Sequence, residues 1–190
     1  MRPFHKNIID ILLSGGVGVI PTDTMYGLVG RGDIPSTVER IYTIRNRNIH
    51  KPCIVLITSY DDLKKFNIEI PVEIRMFLET HAIWPGKVSI IFPSSDSRFD
   101  YLARGTKSIA FRMPNLPELR ELLTETGPLI APSANREGNP PPKTVDAVRV
   151  SFKDSVDFYV DGGKLDSLPS TLIKFEDNKV VVIREGAMVF

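Results

Sequence analysis

The chain of 190 residues contains one cysteine, Cys53, and one tryptophan, Trp84. A single thiol cannot close an intramolecular disulfide or build a cysteine-based zinc site. That fits a reducing compartment, and a cytoplasmic protein is the expectation. An excess of one charge is also missing: 24 Lys and Arg stand against 23 Asp and Glu, a net of +1. The totals therefore carry no strong field for nucleic acid, although a local basic patch is compatible with them. No apolar run approaches the roughly 20 residues of a membrane-spanning helix. The early stretch "NIIDILL" contains Asp10 and places Ile8, Ile9, Leu12 and Leu13 on one helical face. That is the pattern of an amphipathic helix, not of a signal peptide, and no membrane partner is expected.

Several catalytic signatures are missing as well. There is no Gly-x-x-x-x-Gly-Lys-Ser/Thr phosphate loop. "GGVGVIP" fails the dinucleotide fingerprint, because its glycines precede the strand and are wrongly spaced. The three histidines, His5, His50 and His81, are scattered without ligand spacing, so no metal site is expected. Cys53 and Trp84 read as core residues.

What is present is an ordinary globular composition, 42% hydrophobic and 25% charged. Helical patterns at 7–14, 36–45, 60–66, 72–81, 116–125 and 144–152 interleave with short apolar runs. The runs lie at 17–20, 53–57, 88–92, 108–113, 129–131, 158–160, 170–175 and 180–183. Ser36 with Glu39, and Asn115 with Glu118, have capping-box spacing. "EDNK" between the last two runs is a hairpin-length loop. The expectation is an α/β protein: one domain over 1–190, a mixed sheet with helices on its faces. "GNPPPK" at 138–143 reads as a rigid connection inside that domain.

Five polar clusters stand at the ends of the predicted strands. "PTDTMYGLVG" (21–30) puts two threonines and Asp23 after the first run. "RNRNIHKP" (45–52) gathers Arg45, Arg47, His50 and Lys51, either as a solvated helix end or as an anion cradle. In "RGTKSIAFRMP" (104–114), Ser108 and Arg112 lie four apart and face one side of a strand. A buried Arg112 needs a carboxylate or a ligand anion. "LIAPSAN" (129–135) is an apolar run with a polar exit, readable as a turn or as a ligand site. The tail holds "LPST" and "VIREGA", with Arg184 emerging from a strand. Hydroxyls and cations without a nucleophile suit an anionic, phosphate-bearing substrate. The residues by themselves name no reaction.

Taken together, "PTDTMYGLVG", "IRNRNIHKPCIVLI", "WPGKVSIIF", "IAFRMP", "LIAPSANREG", "STLI" and "IREGA" resemble the YrdC/Sua5 family of threonylcarbamoyl-AMP synthases. The pieces occur in the family's order over nearly the whole chain, and its length resembles the short, single-domain form. The resemblance implies a YrdC/RibB-like twisted mixed sheet with a concave, positively charged site. It implies formation of threonylcarbamoyl-AMP and pyrophosphate from L-threonine, bicarbonate and ATP. Mg²⁺ would come with ATP and need no dedicated cage. Other proteins would then carry the threonylcarbamoyl group to adenosine 37 of tRNA, and direct tRNA binding is possible. By the same resemblance Thr24, Arg112, Ala131 and Ser170 would meet threonine. Arg45, Arg47, Lys51, Ser108, Ser133, Asn135 and Arg184 would meet ATP. Arg45 replaces the family's usual lysine, and Glu137 and Pro141 stand where hydroxyls are expected. Two rival readings stand beside it. One is an RNA-binding or ribosome-maturation module using the same surface, which no RNP-like aromatic motif supports. The other is a related carbamoyl-adenylating domain acting on carbamoyl phosphate, which usually belongs to a much longer chain.

Overall fold

The computed structural model describes residues 4–190. Apolar runs of three to six residues become strands: β1 (Gly18–Ile20), β2 (Gly27–Arg31), β3 (Ile54–Leu56), β4 (Val88–Pro93), β5 (Ser108–Arg112), β6 (Leu129–Ile130), β7 (Phe158–Tyr159), β8 (Thr171–Glu176) and β9 (Lys179–Arg184). They form one sheet in the order β7-β1-β2-β6-β3-β5-β4-β8-β9. The sheet is mixed, as expected: β1/β7, β3/β5 and β4/β8 run parallel and the other neighbours antiparallel. The last two strands close through Asp177 and Asn178, both at positive φ, which suits the tight turn of a twisted hairpin.

The central runs are apolar because both faces of the sheet are buried there, whereas the edge strand β9 has no buried residue. Side chains alternate between two cores. Val19, Leu28, Val55 and Ile130 enter one; their neighbours Ile20, Val29, Leu56 and Leu129 enter the other. The second core is closed by α1 (Lys6–Leu13) through Ile8 and Leu12, and by α6 (Pro117–Thr126) through Leu119, Leu122 and Leu123. On the first, α2 (Pro35–Arg45) lies against β2, where a Cβ on Gly30 would stand 2.4 Å from the Thr37 methyl. The close contact requires glycine there. The other helices are α3 (Asp61–Lys64), α4 (Val72–Thr80), α5 (Asp100–Ala103) and α7 (Val145–Phe152). Trp84 and Cys53 are buried, and the indole Nε1–H donates to the Val88 carbonyl at 2.7 Å.

Three expectations change. Ser36 and Asn115 are not helix caps. α2 begins at Pro35, two residues earlier than a Ser36 cap requires, and α6 at Pro117, one residue later than an Asn115 cap requires; Ile34 and Leu116 hold the cap positions, and neither makes a side-chain bond. Proline's fixed φ sets these starts instead. Residues 27–30 are strand β2, not polar exit, because two glycines in "GLVGR" hide a strand pattern. The short helix α5 falls in a stretch that carried no helical signal.

Candidate functional site

Where the helices do not cover the sheet, a cavity of about 640 Å³ opens. Its floor is apolar. Ile54, Ala110 and Ile91 stand in register across β3, β5 and β4, so they share one face of the pleat. Ser108 and Arg112 project from the same face of β5 as Ala110, as their spacing demanded. The walls come from chain segments far apart in sequence. They carry Arg45, Arg47, Lys51, Arg112 and Arg184, and among the described lining residues there is no carboxylate. Every residue expected at the site lines this cavity except Asn135.

The turn after β1 is set by Thr22. Its Oγ1 donates to the Met25 carbonyl at 2.7 Å and accepts from the Thr24 and Met25 amides. The Thr24 hydroxyl thereby faces Arg112, whose Nη1 donates to it at 3.2 Å. Arg112 is 4% exposed. Its Nη1 also lies 3.0 Å from Asp23 Oδ1, but that oxygen receives no aligned hydrogen bond, and Arg112 Nε has no partner. Asp23 Oδ2 accepts from the Asn115 amide at 3.1 Å, which fixes the carboxylate. The arginine thus has its charge balanced on one side while a buried donor stays unused. Burial pushes its pKa down; Asp23 opposes this and Arg184 adds to it.

The second wall begins where α2 ends. Asn46 adopts the left-handed conformation, which stops the helix and returns the chain over Tyr42. The Tyr42 hydroxyl donates to the Lys51 carbonyl at 2.8 Å. Arg47 donates to the carbonyls of Lys51 and Pro52 at 3.0 and 2.8 Å. Arg45, at the last turn, is 3% exposed and turns inward. Its Nε donates to the Asn135 carbonyl at 2.9 Å, and its Nη2 to Ser133 Oγ and Asn135 Oδ1 at 3.3 and 3.2 Å. Nη1 is buried without a partner. Burial, then the nearby Arg47, lowers its pKa to about 10.

The stretch "LIAPSAN" is more than a turn. Beyond β6 it keeps running beside β2: Leu28 donates to the Pro132 carbonyl at 2.9 Å, and Ala134 donates to the Tyr26 carbonyl at 2.8 Å. This carries Ala131 and Ser133 into the wall. Asn135 sits behind it, donating from Nδ2 to the carbonyls of Arg136 and Asn139. Its side chain braces the loop and Arg45.

The tail supplies the last side. Ser170 Oγ and the buried Ser89 Oγ are 2.8 Å apart. Arg184 Nη2 donates to the Ser170 carbonyl at 2.7 Å. Burial and then Arg47 depress the Arg184 pKa. Burial is the first cause of the depressed pKa of Arg45, Arg112 and Arg184, and a nearby anion would oppose it in each. Sequence reading passed over Thr22, His50, Thr106 and Cys53 as lining residues, although the first three lie inside clusters it had marked. Thr106 Oγ1 is 3.0 Å from Ser108 Oγ. Cys53 gave no signal, because an apolar run looks the same whether or not one residue borders a cavity.

Comparison with known proteins gives a consistent result. The Sua5/YciO/YrdC family model, described as telomere recombination, matches residues 10–186. A Methanocaldococcus jannaschii protein, provisionally named threonylcarbamoyl-AMP synthase, is 33% identical over 97% of this chain and 88% of its own length. The crystal structure of Pyrococcus abyssi Sua5 complexed with L-threonine superposes with a TM-score of 0.85 at 29% identity, covering 94% of this chain and 52% of that one. Escherichia coli YciO superposes at 0.79 with 25% identity, covering 95% and 87%. The chain therefore spans about half the length of the Pyrococcus protein and most of the other two.

Proposed function

This chain belongs to the Sua5/YciO/YrdC family, and from that premise we propose that it is an L-threonylcarbamoyladenylate synthase. Threonine's amine and bicarbonate would condense to a carbamate with loss of water. A carbamate oxygen would then attack the α-phosphate of ATP, breaking the bond to pyrophosphate. Relatives bear this activity in their names, and one was crystallised with L-threonine. The observation that carries the reading is the cavity itself: five cationic side chains converge on an apolar floor.

The residues divide by depth. Arg112, with a buried Nε that nothing in the protein uses, would receive the threonine carboxylate, and the planar guanidinium suits such pairing. Thr24, Ser170 and Ala131 would border the same amino acid. Arg47, Lys51, Ser108, Ser133 and Arg184 would take the nucleotide and its phosphates. Arg45 and Asn135 would act mainly by holding Ser133. Fixed cations meet the charge that develops on the phosphate without reorganising, the condition for electrostatic catalysis. The apolar floor limits water around a carbamate that water would otherwise decompose.

Among the described residues no group of three His, Cys, Asp or Glu could hold a metal. Mg²⁺ would be supplied with ATP and held by its phosphates, where it would neutralise part of their charge. The product would feed other proteins that modify adenosine 37 of tRNA, in the cytoplasm. No helix among the described residues is long and apolar enough to cross a membrane. The decisive experiment measures pyrophosphate from ATP, threonine and bicarbonate, omitting each in turn. Dependence on all three is expected; equal release without threonine would refute the assignment.

A further inference from the structure

One carboxylate reaches the cation cluster from outside the cavity lining. Glu137 follows Ser133 by four residues, on the loop that "LIAPSAN" leads into. Its Oε1 lies 2.5 Å from Lys51 Nζ, and its Oε2 accepts from the Asn48 amide. The backbone carries it there: the Glu137 amide donates to the Arg45 carbonyl at 2.9 Å. An ammonium and a backbone N–H converging on two oxygens of one group are the donors that a phosphate would use.

We propose that Glu137 is a resident competitor for the phosphate-binding end of the site, occupying Lys51 and the Asn48 amide until a phosphate group displaces it. This rests on the reading of Lys51 as a phosphate ligand. The Lys51 contact, then the Asn48 amide, holds the Glu137 carboxyl below its usual range, so it is ionised at neutral pH and competes as an anion. The pair is solvent-accessible, with side-chain exposures of 59% for Lys51 and 23% for Glu137. Such a pair is weak enough for a multiply charged phosphate to break. It is also strong enough to lower affinity for every ligand using that end. Pyrophosphate is the ligand for which this matters most: as it leaves, the carboxylate can return to Lys51 and oppose its rebinding.

The test is a double-mutant cycle on the full chain, read by calorimetry with inorganic pyrophosphate and a non-hydrolysable ATP analogue. Glu137→Gln keeps the shape and removes the charge. It is expected to tighten pyrophosphate and analogue binding about two- to fivefold, the size of a solvent-exposed ion pair. Threonine affinity should not change. In a Lys51→Met background the same substitution should give a clearly smaller gain, because only the competition at the Asn48 amide remains. Unchanged or weaker pyrophosphate binding in Glu137→Gln would overturn the proposal and make Glu137 a brace between loops. A gain of undiminished size without Lys51 would also overturn it. If neither probe binds the unaltered chain or any variant, the nucleotide reading falls and this inference with it.

Discussion

Arg112 Nη1 and Asp23 Oδ1 lie 3.0 Å apart, with both side chains 5% exposed. A guanidinium so deeply placed needs a counter-charge whether or not substrate is bound. Asp23→Asn should therefore destabilise the fold by about 3 kcal/mol, the scale of a broken buried pair. Urea unfolding reads this directly, and a change under about 1 kcal/mol would mean that other groups balance the charge.

The same arginine tests the substrate assignment. Arg112→Lys keeps the charge near Asp23 but cannot reproduce a two-pronged contact. Threonine affinity should fall about ten- to a hundredfold while ATP binding largely survives, the range for losing charge-assisted hydrogen bonds. A variant that melts lower yet binds threonine normally would make Arg112 purely structural.

Arg47→Ala should weaken ATP binding about tenfold or more, with a smaller effect on threonine. The guanidinium also holds the carbonyls of Lys51 and Pro52. Its removal should therefore expose the 46–52 loop to faster amide exchange. Unchanged ATP affinity would reduce the cluster to a helix end.

Asp62 gives the clearest pH dependence. Its Oδ2 accepts from the Thr58 amide and hydroxyl, both at 2.8 Å, and its Oδ1 from Lys65. Burial raises its pKa, but the Lys65 and Thr58 contacts together outweigh it, and the net shift is downward from 3.8. Its contribution is present above about pH 4 and is lost as pH falls through the lower folded value. The stability gap between the unaltered chain and Asp62→Asn should be flat from neutral pH to about 5 and close in stronger acid. A gap that widens in acid would contradict the assignment.

Much of this was legible in the sequence, and the exceptions have physical causes. Apolar runs located eight of the nine strands; in the central ones burial on both faces leaves little room for polar residues, and the edge strands β7 and β9 are apolar without being fully buried. Strand β2 was missed because Gly27 and Gly30 dilute the strand pattern; Gly30 is required by its close approach to Thr37. "LIAPSAN" announced a polar exit, but the fate of each residue depended on that missed strand. Pairing with it puts Ser133 in the wall and Asn135 behind. The inward turn of Arg45 was equally hidden, since nothing local distinguishes it from the exposed cations beside it.

The first strand of the sheet lies parallel to β7, and Val17 donates to Asp157 across 140 residues of sequence. β4 likewise waits for β8, where Val88 pairs with Thr171. Contacts this distant close long loops before they return any stabilisation, which places such folds on the slow side of two-state kinetics. During synthesis, β1 and β4 must leave the ribosome with one edge each unpaired. Ser170 and Arg184 reach the cavity only with the final hairpin. Those two edges stay open to strand-edge association until β7 and β8 are made, and the site is complete only once Arg184 has been added.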